Sequence, residues 1–363
     1  MRGNGRVSEE GRHHSERLAH GWQNANIAGF AGGPPGYNRT CEFLASGTLI
    51  LSKQRKFRHE AFFYCGEDGF LAGVLPFIRG AVSAGEPTLV AVDEPKIRAI
   101  QAALNGGGDE RLVQFKEMRR LGRNPACIIP AWREFVAEHG GRGRQIRGIG
   151  EPIWPGRSDA ELVECHQHES LLNLAFAETQ DFWLLCPYDA GALEADVVAE
   201  AHRTHPLIVG SDEQRPSHAY VPPEAGQGPF DTELPEPETE PEELEFGRGG
   251  LPEVRRFAFD RAKEAGLARD RAADLVLAVS ELATNSVLHA GGGGTLRVWR
   301  EGSDLLCEVR DTGRLDEPLL GRERPNGDRS NGRGLWLVNH LCDLVQLRSF
   351  ATGNVARLHM SLS

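Results

Sequence analysis

Lysine is scarce in this chain of 363 residues: nearly all of its 41 basic residues are arginine, and 52 acidic residues outnumber them. The formal net charge of −11 argues against a general binder of nucleic acid or anionic membrane, while leaving room for a local arginine patch. No apolar run approaches the ~18–20 residues of a bilayer span. The first 38 residues lack the apolar core of a secretory signal. The seven cysteines (Cys41, Cys65, Cys127, Cys165, Cys186, Cys307 and Cys342) are odd in number and scattered, with no CxxC pair. That pattern speaks against a disulfide framework and fits ordinary thiols in a reducing, cytoplasmic setting. The N-terminal half also lacks GxxxxGK[ST] and has no GxGxxG after its first strand pattern, so those two phosphate loops are excluded.

What remains is a globular composition, 40% hydrophobic and 26% charged, at a length that suits two or three domains. Residues 1–56, rich in Gly, Arg, His, Asn and Ser, carry no sustained apolar period and are expected to be a disordered extension. From 57 to 220 short β-type runs alternate with helical periods. Strands are expected at 61–64, 87–92, 112–115, 145–149 and 182–186, and helices at 71–82, 95–104, 131–138 and 158–178, the last capped by Ser158. This alternation predicts an α/β domain with a mostly parallel sheet flanked by helices. Residues 221–246 interleave Pro222, Pro223, Pro229, Pro235, Pro237 and Pro241 with a run of glutamates, and are read as an extended, self-repelling linker. Residues 247–363 change class. Helical periods at 252–265, 270–289 and 335–344 combine with alternating runs at 296–300, 305–310, 345–348 and 355–362, which predicts an α+β layer with helices on one face of a mixed sheet.

The chemistry concentrates in that last segment. In Val279-Ser-Glu-Leu-Ala-Thr-Asn-Ser286, Glu281 and Asn285 are four apart and share a helix face, while Leu275, Val279, Leu282 and Ser286 form a separate stripe for the core. An amide oxygen can bind a hard cation such as Mg²⁺, and a carboxylate can orient or deprotonate a hydroxyl. Taken alone, the pair would also suit a solvated helix face. Asp311-Thr-Gly313 follows a strand, where a carboxylate can accept from an exocyclic amine. Asn331-Gly-Arg-Gly-Leu335 opens a helix, where free N–H groups bind phosphate and glycine allows close approach. The polar stretch 314–330 between them has the composition of a flap.

In order, spacing and type these residues resemble the ATP-binding domain of the GHKL (Bergerat) superfamily, and most closely the anti-sigma-factor serine kinases; the resemblance covers essentially all of 247–363. It implies ATP and Mg²⁺ as cofactors, with Glu281 as catalytic base and Asn285 as Mg²⁺ ligand. Asp311 would take the adenine amine beside Gly313, and Gly332, Gly334 and Leu335 would line the phosphates. Arg255 would touch a sigma factor, and Asn354 stands where the family commonly has a threonine near the last strand. The family's second glycine after the acid is replaced by Arg314-Leu315. The implied partners are a sigma factor and an anti-anti-sigma (STAS-type) protein bearing the phosphorylated serine or threonine. A homodimer is the family habit. A histidine kinase is disfavoured because the linker stands where a phosphoacceptor helix pair would be, and the absence of a basic helix-turn-helix argues against direct DNA binding.

The N-terminal domain offers two weaker groupings. Cys165-His166-Gln-His168-Glu169 puts potential metal ligands on one helix, but a polar helix face is the plainer reading. No complementary ligand set stands at a metal-site spacing, and His59 and His202 are unplaced. Arg147, Glu151, Trp154, Arg157, His168, Asn173 and Tyr188 are candidates for a sensory pocket at the carboxyl edge of the sheet. His59-Glu-Ala-Phe-Phe-Tyr64, Pro76-Phe-Ile78, Gly85-Glu-Pro87, Glu151-Pro-Ile-Trp154 and Cys186-Pro-Tyr-Asp189 resemble the MEDS sensory domain over about 57–205. The pairing of such a domain with an anti-sigma-type ATPase domain resembles the RsbA-family regulators of sigma factors. This implies a small-molecule signal for the N-terminal domain and a cytoplasmic, stress-linked role in transcription regulation.

Overall fold

The computed structural model describes residues 57–104, 110–141, 143–179, 181–209, 214–223, 232–325 and 332–362. The extension expected over 1–56 and the centre of the flap, 326–331 with Asn331, lie outside the described residues.

The N-terminal lobe is built on β1 (Arg58–Tyr64), β2 (Thr88–Val92), β3 (Val113–Glu117), β4 (Ile146–Gly150), β5 (Phe182–Asp189), β6 (Leu207–Val209) and β7 (Gln214–Pro216), in the spatial order β3-β2-β4-β5-β1-β6-β7. All pairings are parallel except that of β6 with β7. The central strands read as continuous apolar runs because both faces are covered. One face packs on α1 (Gly66–Ser83) and α2 (Glu94–Leu104), the other on α4 (Ile128–His139), α5 (Asp159–Ala175) and α6 (Ala195–Thr204). A single turn, α3 (Met118–Leu121), follows β3. Ser158 caps α5 as expected: its Oγ accepts from the Glu161 amide while the Glu161 carboxylate accepts from the Ser158 amide.

The C-terminal lobe is a five-stranded sheet, β11 (Leu344–Phe350), β12 (Gly353–Ser361), β10 (Asp304–Asp311), β9 (Gly293–Glu301) and β8 (Glu242–Gly247), in that order. Where the pattern suggested a mixed sheet, every pairing is antiparallel: two tight hairpins, β9–β10 and β11–β12, pair through β10 and β12, and β8 adds to β9. Helices α7 (Leu251–Glu264), α8 (Arg269–His289) and α9 (Arg333–Leu341) cover one face. The stripe of Leu275, Val279, Leu282 and Ser286 is buried in that core, as helical spacing requires.

The acidic stretch read as linker is partly docked. Its last five residues enter β8, and Arg297 binds Glu236 at 3.1 Å and Glu243 at 3.0 Å. The Pro235 carbonyl accepts from Arg357 and the Thr232 carbonyl from Arg348. Glu236 and Glu243 dock because the outer face of the sheet is an arginine ladder: Arg297, Arg310 and Arg357 converge on the buried Glu308.

Candidate functional site

Helix α8 carries Glu281 and Asn285 to the rim of the core, one turn apart and half-buried. They face Gly334, in the first turn of α9. A Cβ on Gly334 would stand 2.9 Å from Glu281 Oε2 and 3.4 Å from Asn285 Nδ2, so only a glycine leaves both side chains where they are. The helix begins at Gly332 with φ of 89°, a left-handed conformation natural to glycine, and no side chain caps it. Its first N–H groups are therefore left without a side-chain cap. Leu335 is buried behind them in the C-terminal core.

Asp311 ends β10 on the same side of the sheet. Its Oδ2 accepts from Ser286 Oγ at 2.7 Å, and its Oδ1 accepts from Asn354 Nδ2 and the Gly313 amide, both at 2.9 Å. A carboxylate offers about four lone-pair positions, so one on Oδ2 remains for an incoming donor. Asn354 is fixed in turn by Ser349 Oγ, which donates to its Oδ1 at 2.7 Å. The asparagine in the threonine position thus does a positioning job. Gly313 is tightly fitted: a Cβ there would lie 2.5 Å from that of Ala290 and 2.9 Å from Asn354 Nδ2. Leu315, standing where the family has its second glycine, is pinned by its amide to Ser349 Oγ at 2.9 Å.

The structure therefore brings Glu281, Asn285, Gly332, Gly334 and Leu335 together on one side, and Asp311, Gly313 and Asn354 together on the other, linked through Ser286 on the helix that also bears the acid and amide. Arg255 stands apart, exposed on α7, with Nη1 3.4 Å from Ser280 Oγ. Ser286 and Ser349 were missed as site residues. Ser286 is the one polar member of an otherwise apolar stripe, which was the available signal.

The sensory-pocket candidates do not converge. Arg147 lies on the α1 side of the sheet, bound to Glu86 at 2.6 Å and to the Phe77 carbonyl at 2.9 Å. His168, Asn173 and Tyr188 lie on the opposite side, among α5, α6 and β5. Glu151 is held by Lys96 at 2.6 Å and accepts from the Tyr64 hydroxyl; burial pushes its carboxyl up to about 6. Arg157 stacks on Trp154 at 3.6 Å and caps two backbone carbonyls, those of Pro152 and Gly122. The sheet itself separates Arg147 from the histidine side, because successive strand residues point to opposite faces. A cleft of about 1070 Å³ lies between the lobes, lined by Arg120, Arg123, Arg133, Arg271 and Trp336, and does not include the acid–amide pair.

Residues 58–206 match the family model of the MEDS (methanogen/methylotroph, DcmR sensory) domain, and residues 225–360 that of the histidine kinase-like ATPase domain. The chain joins a MEDS domain to a histidine kinase-like ATPase domain. The ATPase match begins at 225, so it takes in β8 and the acidic stretch that covers the sheet. Among solved structures, the RsbU and RsbW domains of Rv1364c from Mycobacterium tuberculosis are 21% identical (TM-score 0.27), covering 34% of this chain and 32% of that one. The Acinetobacter baumannii histidine kinase AdeS is 15% identical over 34% of this chain and 68% of its own (TM-score 0.21). The catalytic domain of the histidine kinase ThkA is 14% identical over 33% of this chain and 95% of its own (TM-score 0.23). The chain thus spans about a third of the length of the first of these. No curated protein matches it. Among the described residues, no helix is long and apolar enough to cross a membrane.

Proposed function

We propose that the chain is a signal-responsive anti-sigma factor whose ATPase domain binds ATP–Mg²⁺ and phosphorylates a serine or threonine of an anti-anti-sigma, STAS-type protein. The observation that carries this reading is the approach of Glu281 and Asn285 to Gly334 at the uncapped start of α9, with Asp311 across the same rim. The residues fit the nucleotide: a glycine cradle that any side chain would fill, an amide oxygen for a hard cation, and a carboxylate with a vacant acceptor position. Asp311 would accept from the adenine amine beside Gly313 and Asn354. The N–H groups from Gly332 to Leu335 would hold phosphate oxygens, and Asn285 would hold Mg²⁺. Bound there, ATP–Mg²⁺ supplies a γ-phosphoryl group with its charge partly neutralised. Glu281 would orient the acceptor hydroxyl and take its proton as the new O–P bond forms and ADP leaves. Exposed Arg255 on α7 would meet the sigma factor, the MEDS domain would receive a small-molecule signal, and the setting would be cytoplasmic.

A second reading has one observation in its favour. Leu315, which replaces the second glycine of the resembled family, is pinned by its amide to Ser349 Oγ, which would suit a nucleotide-dependent sigma-binding switch without phosphotransfer. The two readings separate on one experiment. Asn285→Ala should abolish Mg-ATP binding by calorimetry with little change in melting temperature, and unchanged affinity would remove the site assignment. With radiolabelled ATP and a STAS-type partner, acid-stable phosphate on the partner supports the kinase. Binding without transfer supports the switch, and acid-labile phosphate on the chain itself would mean a histidine kinase.

A further inference from the structure

A second cluster lies in the MEDS lobe, far from the nucleotide rim in sequence and function. His59 from β1, Glu169 from α5, Cys186 from β5 and His205 at the end of α6 are all buried, and one donor atom from each lies within 4.8 Å of the others. The individual separations are His59 Nε2 to Glu169 Oε2, 3.1 Å; His205 Nε2 to Glu169 Oε2, 3.4 Å; Cys186 Sγ to His59 Nε2, 3.4 Å; and Cys186 Sγ to Glu169 Oε2, 3.7 Å. Bonds of about 2.0–2.1 Å to nitrogen or oxygen and about 2.3 Å to sulfur, at tetrahedral angles, put donors roughly 3.3–3.6 Å apart. Four of the six edges of the cluster, 3.1–3.7 Å, are already close to that, and the remaining two are within 4.8 Å.

The surrounding hydrogen bonds fix which ring nitrogens face inward. Asn173 Nδ2 donates to the Thr204 carbonyl at 2.8 Å, so its Oδ1 is the atom 3.1 Å from His59 Nδ1, and that nitrogen must carry the hydrogen. His205 Nδ1 is 2.8 Å from the Ala201 carbonyl, which can only accept, so it too carries a hydrogen. With that hydrogen on Nδ1, each ring turns its Nε2 toward the Glu169 carboxylate. Three acceptors and one thiol share a dry space, and His205 Nε2 and Glu169 Oε1 have no hydrogen-bond partner. A proton between His59 and Glu169 would satisfy one pair and leave the second imidazole unpartnered. A divalent cation takes up both imidazole lone pairs, the sulfur and Glu169 Oε2 together. With Cys186 as thiolate and Glu169 ionised, its two charges are cancelled within the burial shell, which is the condition for burying charge at tolerable cost.

We propose that His59, Glu169, Cys186 and His205 form a closed tetrahedral zinc site that ties β1, α5, β5 and the end of α6 together. Binding replaces the Cys186 S–H bond by a Zn–S bond and releases that proton to solvent. The four side chains fill the coordination sphere, so the site is structural. Imidazole with thiolate favours zinc among the common divalent ions, and a carboxylate fourth ligand disfavours copper(I). Asn173 and the Ala201 carbonyl are the outer partners that hold the two rings in place.

The test uses the full chain. Purified from zinc-replete cells and passed through chelator, it should retain about one zinc per chain by elemental analysis. Cobalt(II) exchanged into the wild type should give intense tetrahedral visible bands and a thiolate charge-transfer band in the near ultraviolet, and X-ray absorption should report one sulfur and three nitrogen or oxygen neighbours. Cys186→Ser should lose the charge-transfer band, while Cys65→Ser, at an exposed thiol, should keep it. A folded wild-type chain that holds neither zinc nor cobalt overturns the proposal, leaving a proton-bridged cluster. A bound metal without a sulfur neighbour overturns it as well. Because the wild-type spectra need no variant, poor folding of Cys186→Ser leaves the test intact, and none of these readouts depends on ATP binding.

Discussion

At the scale of single residues, Gly334 is the most informative position in the ATPase domain. Its hydrogen is the only group that fits between the backbone of α9 and the acid–amide pair of α8. Gly334→Ala would put a methyl 2.9 Å from Glu281 Oε2. The carboxylate can swing away at little cost, so the fold should survive with its melting temperature nearly unchanged, since alanine also favours the helix. The displaced pair should bind Mg-ATP at least tenfold more weakly by calorimetry; retained affinity would mean that Gly334 does not border the nucleotide. The sequence displayed Glu281, Asn285, Asp311 and both glycines because helical and strand periods are local and fix which side chains share a face. It hid Ser349 and His205. Ser349 reaches the site only through the β11–β12 register, and His205 reaches the metal cluster only by crossover packing, neither of which leaves a periodic mark.

Secondary elements show the same division. Most helices and strands that bury an apolar stripe were legible, including α8 to within a residue of each end, but α6, which buries Val197 and Ala201, was not. The strands that were missed, β6, β7 and β8, are short or polar, and β8 is an edge strand whose glutamates are stabilised by arginines of neighbouring elements. Strand β12 carries one further consequence. Burial, assisted by Arg357, pushes the His359 imidazole down to about 4 from 6.5. Its Nε2 is 3.0 Å from Gln346 Oε1, and Asp304 is 4.0 Å from its Nδ1. The unfolded chain takes up this proton first as acid is added. The stabilisation is therefore complete above pH 6.5 and is lost as the pH falls from 6.5 toward 4, by roughly 3 kcal/mol in all. His359→Gln should flatten the dependence of urea stability on pH across that window relative to wild type. An identical slope in both proteins would place the acid sensitivity elsewhere.

Over the whole molecule, the two lobes are joined by buried charge as well as by chain. Glu164 on α5 lies between Arg348 of β11, at 2.9 Å, and Arg322 of the flap segment, at 3.6 Å, and all three side chains are buried. Arg322 also donates to Gln167 at 3.2 Å, and its neighbour Gly321 packs against Leu335 in the first turn of α9. Helix α5 is therefore shared: Glu169 belongs to the proposed metal cluster, and Glu164, five residues earlier, holds the segment that leads to α9. Removing the acid alone strands two buried guanidinium groups, so Glu164→Ala should cost about 3–5 kcal/mol in chemical denaturation. Replacing all three partners by apolar residues of similar size, Glu164→Leu with Arg322→Met and Arg348→Met, should recover most of that loss, because desolvation of the ions is removed with them. If α5 conveys the state of the MEDS lobe to the flap, the triple variant should fold well yet bind Mg-ATP with an affinity no longer altered by stripping the metal from the cluster. Wild-type-like coupling in the triple variant would show that this charge cluster holds the lobes together without carrying a signal.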